Sequence, residues 1–400
     1  MKRYNYRAKE KRTGKFVKGN IQAENERTAG KLLVEQGYIP ETIVEEGSNG
    51  VLAKAAYKIT TKDRIMFTRQ FSTLVGAGLP LSASLRTVAE QTQGKGMKGV
   101  IEEVLAAVEA GKSLHEAIEQ HPDVFNKVYI SLIAAGEMSG TLDIALKRLA
   151  DQEEKDAAMM SKIKGALVYP AIILVVIIAV LAFMMIMVVP QVKGLYEDMG
   201  EELPGLTKFL VGITDFFGNY WWLVLMIAAG AIFGLVSFFK TPKGRKVMDT
   251  FKINVVIFGK LFKKLYVSRF ARTAEMMLAT GVAMIDSVQI GTEATNNVVV
   301  QEEFGKSIEM IKAGKPLSES LADKKYMLPL VPQMASIGEQ SGKIDEMLGK
   351  AAQVYENELD EEIANISTMI EPILMVVMAG LIGVVVGGTL LPIYSLVSKI

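Results

Sequence analysis

Residues 166–189 form an apolar run without a single charge, and this run constrains the fold more than any other feature of the chain. At about 1.5 Å per helical residue the run would be about 36 Å long, enough to cross a hydrocarbon core of about 30 Å with some tilt. A helix in a soluble core has no reason to be apolar on every face over that length. The run therefore predicts a membrane-spanning helix.

Prolines bracket this run, and the same bracket recurs near the C-terminus. Pro170 and Pro190 are separated by 20 positions, and so are Pro372 and Pro392. We interpret all four as structural residues at equivalent positions of a repeated unit, and we expect the first span to kink at Pro170.

Fixed offsets connect the two halves of the chain. The segment AGKSLHE begins at position 110 and AGKPLSE begins at 313, an offset of 203 (313 − 110). GEMSG begins at 136 and GEQSG at 338, an offset of 202 (338 − 136), so one residue is lost between the two motifs. Matches at such constant offsets over roughly 120 residues indicate a tandem duplication.

The composition is typical of a membrane protein that also carries large polar domains. The sequence is 50% hydrophobic with a mean hydropathy of +0.25, yet 22% of it is charged. A net charge of +1 provides no global basic excess for nucleic acid, and the lack of cysteine excludes disulfides, thiolate ligands and cysteine nucleophiles. The basic N-terminus has no apolar region behind it, so we expect no signal peptide.

Residues 1–44 are predicted to form a small cytoplasmic α+β module. Two strands would be joined by a turn at Thr13-Gly14, followed by a helix that Asn25 caps and by a third strand. Helical periodicity then predicts two six-helix cytoplasmic bundles, at 61–165 and 267–371.

The predicted fold class is an all-α integral membrane protein with two tandem six-helix bundles, three transmembrane helices and the small N-terminal module. In the first bundle, Ser113 and Glu116 form a capping box, and Thr141 caps a long helix that continues into the membrane. The remaining predicted segments are a linker at 45–60, a span at 166–189, an external loop at 190–219, a span at 220–239, a basic cytoplasmic connector at 240–266, a span at 372–392 and an external tail at 393–400.

Basic residues predict the orientation. The loop 190–219 has two lysines against five acidic residues, whereas residues 240–272 have ten Lys or Arg against one acidic residue. By the positive-inside rule, the N-terminus and both bundles are cytoplasmic and the C-terminus is external. The basic run sets this topology and binds anionic lipid headgroups; it could also offer a charged surface to a cytoplasmic partner.

Gly111-Lys112-Ser113 superficially matches a phosphate-binding loop, but the motif needs glycine at position 106, which is Ala106. We interpret the segment as a helix end followed by a helix cap. His115 and His121 have no second ligand at suitable spacing and are interpreted as surface residues. No catalytic, cofactor-binding or metal site is predicted.

The repeated GExSG motif has two interpretations. In the favoured one it is a turn between helices, in which the glycines break the chain and the serine binds local amides. In the other, Glu137 and Glu339 are presented at equivalent corners, beside Gly140 and Gly342, to a basic partner surface or to a cation. Both interpretations can hold together.

Two features of the third span could contact other helices. Glu371 lies at the membrane boundary, where it is either simply interfacial or a contact for a partner helix. Four glycines in the span include a small-xxx-small pattern suited to close helix packing. These are Gly380, Gly383, Gly387 and Gly388.

These motifs together resemble the polytopic inner-membrane platform proteins of type II secretion and type IV pilus machines. The resemblance rests on FTRQF at 67, GAGLPL at 76, the repeated AGK and GExSG motifs, and spans that open with YPA or EPI and end in VVP or LLPIY. In the second copy GAGLPL becomes ATGVAM at 279–284.

The resemblance implies a non-enzymatic, homo-oligomeric protein without a cofactor. Its partners would be a cytoplasmic hexameric ATPase, pilin or pseudopilin subunits, other inner-membrane assembly proteins and membrane lipid, with no direct nucleic-acid contact. A DNA-uptake pseudopilus is an alternative machine. A membrane transporter or enzyme is disfavoured, because the spans lack catalytic groups and the repeat lies mostly in the polar part.

Overall fold

The structure, a computed structural model, divides into two compact units, residues 1–151 and 152–400. The described residues are 2–10, 16–23, 26–45, 59–200, 203–255 and 258–397. The predicted turn at Thr13-Gly14, the cap at Asn25 and most of the predicted linker lie outside them.

The N-terminal module is a three-stranded antiparallel sheet with one helix. Its elements are β1 (Lys2–Glu10), β2 (Phe16–Ala23), α1 (Glu26–Glu35) and β3 (Tyr38–Glu45). β1 is the central strand, in the order β2-β1-β3. Tyr4 and Ala8, which share a face because strand side chains alternate, are buried, and Tyr4 packs with Ala29 of α1. The predicted α+β composition is confirmed.

Six helices follow in the first bundle: α2 (Thr61–Gly76), α3 (Leu81–Gln91), α4 (Lys95–Glu109), α5 (Leu114–Glu119), α6 (Lys127–Ser139) and α7 (Leu142–Phe183). Aromatic side chains dominate its core. Phe67 stacks on Phe71 with ring centroids 5.4 Å apart, and Phe125 lies 4.7 Å from Tyr129. Such pairs add to the free energy of burying the rings.

α7 runs through Pro170 without interruption, and the bend of its axis expected there stays a prediction. A π-helix follows at Met184–Val188, after which the Val189 N–H bonds to the carbonyl of Met184. Pro190 explains this position, because it has no N–H and its ring displaces the carbonyl four residues earlier, so a wider turn accommodates it.

Three helices connect the two bundles: α8 (Val189–Met199), α9 (Gly205–Lys240) and α10 (Pro242–Asn254). With 36 residues, α9 would be about 54 Å long, well beyond the thickness of a hydrocarbon core. Tyr220, which has non-helical φ/ψ angles of −118° and 21°, divides it into two parts. The predicted second span lies almost entirely in the part after Tyr220, whereas the first part is helical where an external loop was expected.

The second bundle repeats the first: α11 (Gly259–Ala279), α12 (Met284–Ala294), α13 (Val298–Lys312), α14 (Leu317–Ala322), α15 (Leu330–Ser341) and α16 (Ile344–Val397). Phe270 and Phe304 pack edge to face in its core, 5.2 Å apart. Ala283, which replaces Pro80 of the first copy, has almost the same backbone angles (φ −56°, ψ 146° against −55°, 144°). The lost proline therefore leaves the local fold unchanged.

Three helices are long and apolar enough to cross a membrane: 142–199, 207–240 and 344–388. With 54 residues, α16 is about 81 Å long, so it extends from the second bundle through the whole of the third span. The predicted fold class, an all-α membrane protein with tandem six-helix bundles, is confirmed.

Candidate functional site

The AGK motif ends one helix and prepares the next. Gly111 has φ +92°, which favours glycine, and the N–H of Lys112 bonds to the carbonyl of Ala107, closing the end of α4. Ser113 and Glu116 form the predicted capping box at the start of α5. The Ser113 N–H, followed by its hydroxyl, lowers the pKa of the Glu116 carboxyl. The interpretation of this segment as a helix end and cap is confirmed.

The GExSG motif lies on the last turn of a helix rather than in a loop. A Cβ atom on Gly136 would lie 2.7 Å from Cβ of Ala145, and one on Gly338 would lie 2.6 Å from Cα of Ile344. From sequence, these glycines were expected to break the helix. They lie within it instead, and they let the next helix approach closely. The true helix ends are the second glycines of each motif, Gly140 (φ +73°) and Gly342 (φ +71°).

The serines of the motif bind carbonyl groups and not the amides that were expected. Ser139 Oγ donates to the carbonyl of Ala135 at 2.7 Å, and Ser341 Oγ donates to that of Ile337 at 2.8 Å. This local bond to the residue four positions earlier satisfies the hydroxyl within its own helix.

The carboxylate of Glu137 lies at the N-terminus of α5. Its two oxygens accept the N–H groups of Leu114 at 2.6 Å and of His115 at 2.9 Å, and His115 Nδ1 lies 2.6 Å from Oε2. The side chain of Glu137 is only 20% exposed. The first N–H groups of a helix lack intrahelical partners and carry partial positive charge, so the carboxylate stabilises α5 in two ways.

Glu339 makes the same contact in the second bundle. Its Oε1 accepts the N–H groups of Leu317 at 2.5 Å and of Ser318 at 3.4 Å, and Ser318 Oγ donates to Oε2 at 2.5 Å. α14 follows Pro316, which provides no side-chain cap. Among the described residues, Glu339 is thus the only side-chain acceptor of N–H groups at this helix start.

The two repeated motifs therefore form one structural unit in each bundle. The glutamate of GExSG, expected at an exposed corner, is directed to the helix that follows AGK. The sequence contained a signal for this, since both motifs are retained twice in the same order. Contact with a partner or a cation at Glu137, Gly140, Glu339 or Gly342 stays a prediction.

The histidines differ from the surface residues that were expected. His115 is paired with Glu137, and His121 Nε2 lies 3.5 Å from Oε2 of Glu103 with only 16% of its side chain exposed. Neither partner is visible from local spacing, because each lies some distance away in sequence. Within the part of the chain that the structure describes, no group of three or more His, Cys, Asp or Glu side chains could hold a metal ion.

Buried and exposed ion pairs distinguish the two bundles. Arg272 and Glu356 form two bonds of 2.9 Å and are only 16% and 17% exposed. The equivalent Arg69 bonds to Asp151 at 2.6 Å, and these side chains are 35% and 49% exposed. The second bundle thus has the better-buried link between its first and last helices.

The described residues of the three apolar helices contact one another near the start of α9. Thr207 Oγ1 donates to the carbonyl of Gly388 at 3.1 Å, inside the protein. An apolar cavity of about 170 Å³ lies nearby, lined by residues of all three spans that include Met184, Leu210 and Val384. Gly380 and Gly383 would meet nothing within 4 Å if they carried side chains, so this part of the glycine face is open.

Glu371 and Pro372 are exposed on α16, and neither interrupts this helix. Glu371 forms no ion pair with any of the residues that the structure describes, so its contact with a partner helix stays a prediction. Pro392 also lies within α16.

Comparisons with known proteins cover nearly the whole chain. The sequence profile of the family "Type II secretion system (T2SS), protein F" matches twice, at 67–190 and 270–392, and that of the protein F N-terminal domain matches 1–43. The chain is 34% identical to type IV pilus assembly protein PilC of Thermus thermophilus, over 99% of this chain and 98% of the relative. It is 32% identical to type II secretion system protein F of Vibrio cholerae, over 96% of each chain.

The double match coincides with the duplication that the offsets indicate and with the two bundles and the spans that end them. Three apolar helices and full-length relatives at this identity lead to one assignment. The chain is a multi-pass membrane protein that belongs to the type II secretion system protein F family.

Proposed function

We propose that this protein is a non-enzymatic platform in the bacterial inner membrane that couples a cytoplasmic hexameric ATPase to the assembly of pilin-like subunits into a filament. Relatives named for type IV pilus assembly and for type II secretion support this class of machine. The ATPase, the pilin or pseudopilin subunits and other inner-membrane assembly proteins are the partners that this role requires.

The observation that carries the proposal is the continuity of α7 and α16. Ala145 and Leu146 are fully buried at the start of α7, and Leu348 and Ala351 are fully buried at the start of α16. Each helix then continues into a span. Apart from the prolines, which have no N–H to donate, each helix is continuously hydrogen-bonded along this path, so a displacement of either bundle reaches the membrane without crossing a flexible linker.

Within residues 152–400, α7 is also held to the second copy before it enters the span. Met159 packs in one apolar cluster with Leu265 of α11 and Leu359 of α16. Lys162 Nζ lies 2.7 Å from Asp360 at the edge of this cluster. Exposed ion pairs contribute little, so the apolar contact is the main link between the helices that end the two repeats.

The proposed orientation suits a cytoplasmic motor. Acidic residues dominate 190–219 and basic residues dominate 240–272, which supports, by the positive-inside rule, a cytoplasmic N-terminus, cytoplasmic bundles and an external C-terminus. Among the described residues, the most apolar 18-residue windows of the three spans are 11%, 0% and 0% buried by the rest of the chain, so the surfaces of these windows are available to lipid, to further copies or to the transmembrane segments of pilin-like subunits.

The test separates ATPase binding from transmission. Two glycines inserted after Ile366, between the second bundle and the third span, would interrupt α16. The matched control carries the same insertion after Gln93, in the exposed connection between α3 and α4. Each tagged protein is expressed in its own host in place of the native copy, solubilised in mild detergent after crosslinking and tested for the co-purified ATPase, while surface filaments or secreted substrate are quantified.

We expect both variants to be inserted and to retain the ATPase, and only the α16 insertion to abolish filament assembly or secretion. Normal output from that variant would contradict transmission through α16. Failure to recover any hexameric ATPase with the unmodified protein would contradict motor coupling and leave a passive scaffold for pilin-like subunits.

A further inference from the structure

α10 begins directly where the second span ends, and it does not continue the axis of that span. The Thr241 N–H bonds to the carbonyl of Phe238 at 2.9 Å, and the Thr241 hydroxyl bonds to it at 2.7 Å. A Cβ atom on Gly244 would lie only 2.0 Å from the same carbonyl oxygen. The first turn of α10 is therefore folded against the last turn of α9, which only glycine at position 244 permits.

One face of α10 is fixed to the second bundle. The carboxylate of Asp249, which is buried, accepts the Val298 N–H at 3.1 Å, and Asn297 Nδ2 donates to the Asp249 carbonyl at 3.2 Å. Lys246 and Glu302 form an ion pair at 2.7 Å beside them. These contacts hold α10 against the start of α13 and determine which face is left outside.

The outer face carries two large apolar side chains. Val247 is 56% exposed and Phe251 is 65% exposed. With Lys243 they occupy positions four residues apart, so the three side chains lie in one row along the helix. An apolar row with a lysine, on a helix that starts where a span ends, is typical of helices that lie in the membrane interface.

Some basic residues of this region form ion pairs within the protein, and others do not. Of the ten between 240 and 272, five form ion pairs with acidic residues: Lys246, Lys252, Lys264, Arg269 and Arg272. Arg245 donates to Asn296. Within the described ranges, Lys240 and Lys243 form no ion pair; Lys243 begins the row, and Lys240 is the last residue of α9. Lys260 and Lys263 are the other two lysines of the ten that form no ion pair with a described residue.

We propose that α10 lies on the membrane surface, with Val247 and Phe251 at the boundary between headgroups and acyl chains and with Lys240 and Lys243 bound to the phosphates of anionic phospholipids. Charge complementarity and the position at the end of the span favour lipid over a protein partner. This inference requires only that residues 221–240 cross the membrane. It is independent of motor coupling, and neither proposal fails with the other.

The chain has no cysteine, so single cysteines can report on this face. Val247→Cys and Phe251→Cys carry a nitroxide label, and Ile337→Cys, at a 48%-exposed apolar position of α15, is the matched control. The full-length variants are reconstituted in nanodiscs of phosphatidylcholine with or without phosphatidylglycerol. Power saturation then compares label collisions with oxygen, which concentrates in the bilayer, and with a water-soluble nickel chelate. Unchanged elution and helix content establish that each variant is folded.

We expect the labels at 247 and 251 to favour oxygen and the label at 337 to favour the nickel chelate. In nanodiscs that contain phosphatidylglycerol, Lys240→Gln and Lys243→Gln should each lower the ratio of membrane-inserted to water-exposed label by roughly fivefold. Without anionic lipid the two substitutions should have no effect. Labels at 247 and 251 that reach the nickel chelate as readily as the control would overturn the proposal. Immobilised labels that neither reagent reaches would also overturn it, because they would show that protein covers this face.

Discussion

Replacing Glu339 with alanine tests whether a carboxylate from a distant helix holds the start of α14. The substitution removes two short hydrogen bonds, from the Leu317 N–H and from the Ser318 hydroxyl, and α14 has no side-chain cap of its own. A hydrogen bond to a charged group contributes about 1.5–3 kcal/mol. We therefore expect local opening at the start of α14 to become easier by about 3 kcal/mol, which corresponds to about 100-fold faster amide exchange.

The first bundle provides the comparison. Glu137→Ala removes an equivalent carboxylate, but the capping box of Ser113 and Glu116 remains at the start of α5. We expect a smaller loss of about 1.5 kcal/mol, or about tenfold faster exchange. The difference between the two copies follows from the presence of one additional cap.

The assay is hydrogen–deuterium exchange with mass spectrometry on the full-length protein in detergent, with peptides that cover 313–322 and 110–119. Glu319→Gln is the control, because Glu319 lies in the first turn of α14 and forms an exposed ion pair with Lys315. Unchanged exchange at 313–322 in the Glu339→Ala variant would refute the capping role. Acceleration that is equal in the control would show that it reflects loss of negative charge in general.

Three further outcomes are expected for the full-length protein, each measured as the apparent unfolding temperature in detergent. Gly338→Ala places a Cβ atom 2.6 Å from a backbone atom of α16 and should destabilise by about 1–3 kcal/mol, whereas Gly305→Ala, on an open helical surface, should stabilise slightly. Arg272→Met should lower the free energy of unfolding by about 2–4 kcal/mol, because its ion pair is mostly buried. Arg69→Met should lower it by less than about 1 kcal/mol, because the pair of Arg69 is more exposed. Burial would lower the pKa of Lys264, but hydrogen bonds to two glutamates outweigh burial and raise this pKa above 10.5. The contribution of Lys264 to the free energy of unfolding is therefore complete below pH 10.5, and it is lost only as the pH rises through the raised pKa. Lys264→Gln should therefore destabilise equally at pH 6 and pH 8.

Each of these expectations has a contradicting result. Equal effects of alanine at the two glycines would show that the helices separate easily at the crossing. Equal losses for the two arginines would show that burial does not set the strength of these pairs. A loss for Lys264→Gln that differs between pH 6 and pH 8 would show that another group titrates with it.

The sequence was sufficient for features that depend on local pattern. The apolar run at 166–189 and the repeated offsets predicted the spans and the duplication, and the capping box at Ser113 was identified from four residues. The kink expected at Pro170 stays a prediction, because a helix can be continuous through a proline whether or not its axis bends there. The irregularity lies at 184–188, where the carbonyls that precede Pro190 need the additional space.

Contacts between distant helices were beyond such patterns. The sequence predicted that GExSG is important twice, but not that Glu137 reaches the N–H groups of Leu114, 23 positions earlier. The same limitation applied to α10, since composition alone could not distinguish the lysines that bind Glu302 or Asp249 from those left for lipid. Three-dimensional packing decides both.

The two copies of the glutamate contact also record how the duplicated halves diverged. Glu137 and Leu114 are 23 positions apart, whereas Glu339 and Leu317 are 22 apart, yet the carboxylate meets the same helix start in both copies. A residue deleted inside a helix would rotate all later side chains by about 100° and move the glutamate away from its target. The difference therefore lies before the motif. The connections 120–126 and 323–329 are equally long, whereas α6 has 13 residues and α15 has 12, so the difference falls at the start of the second helix. Since the duplication, chain length has changed at this helix start without altering the register on which each bundle depends, which makes the first residues of α6 and α15 a natural position for an inserted epitope or fluorescent domain.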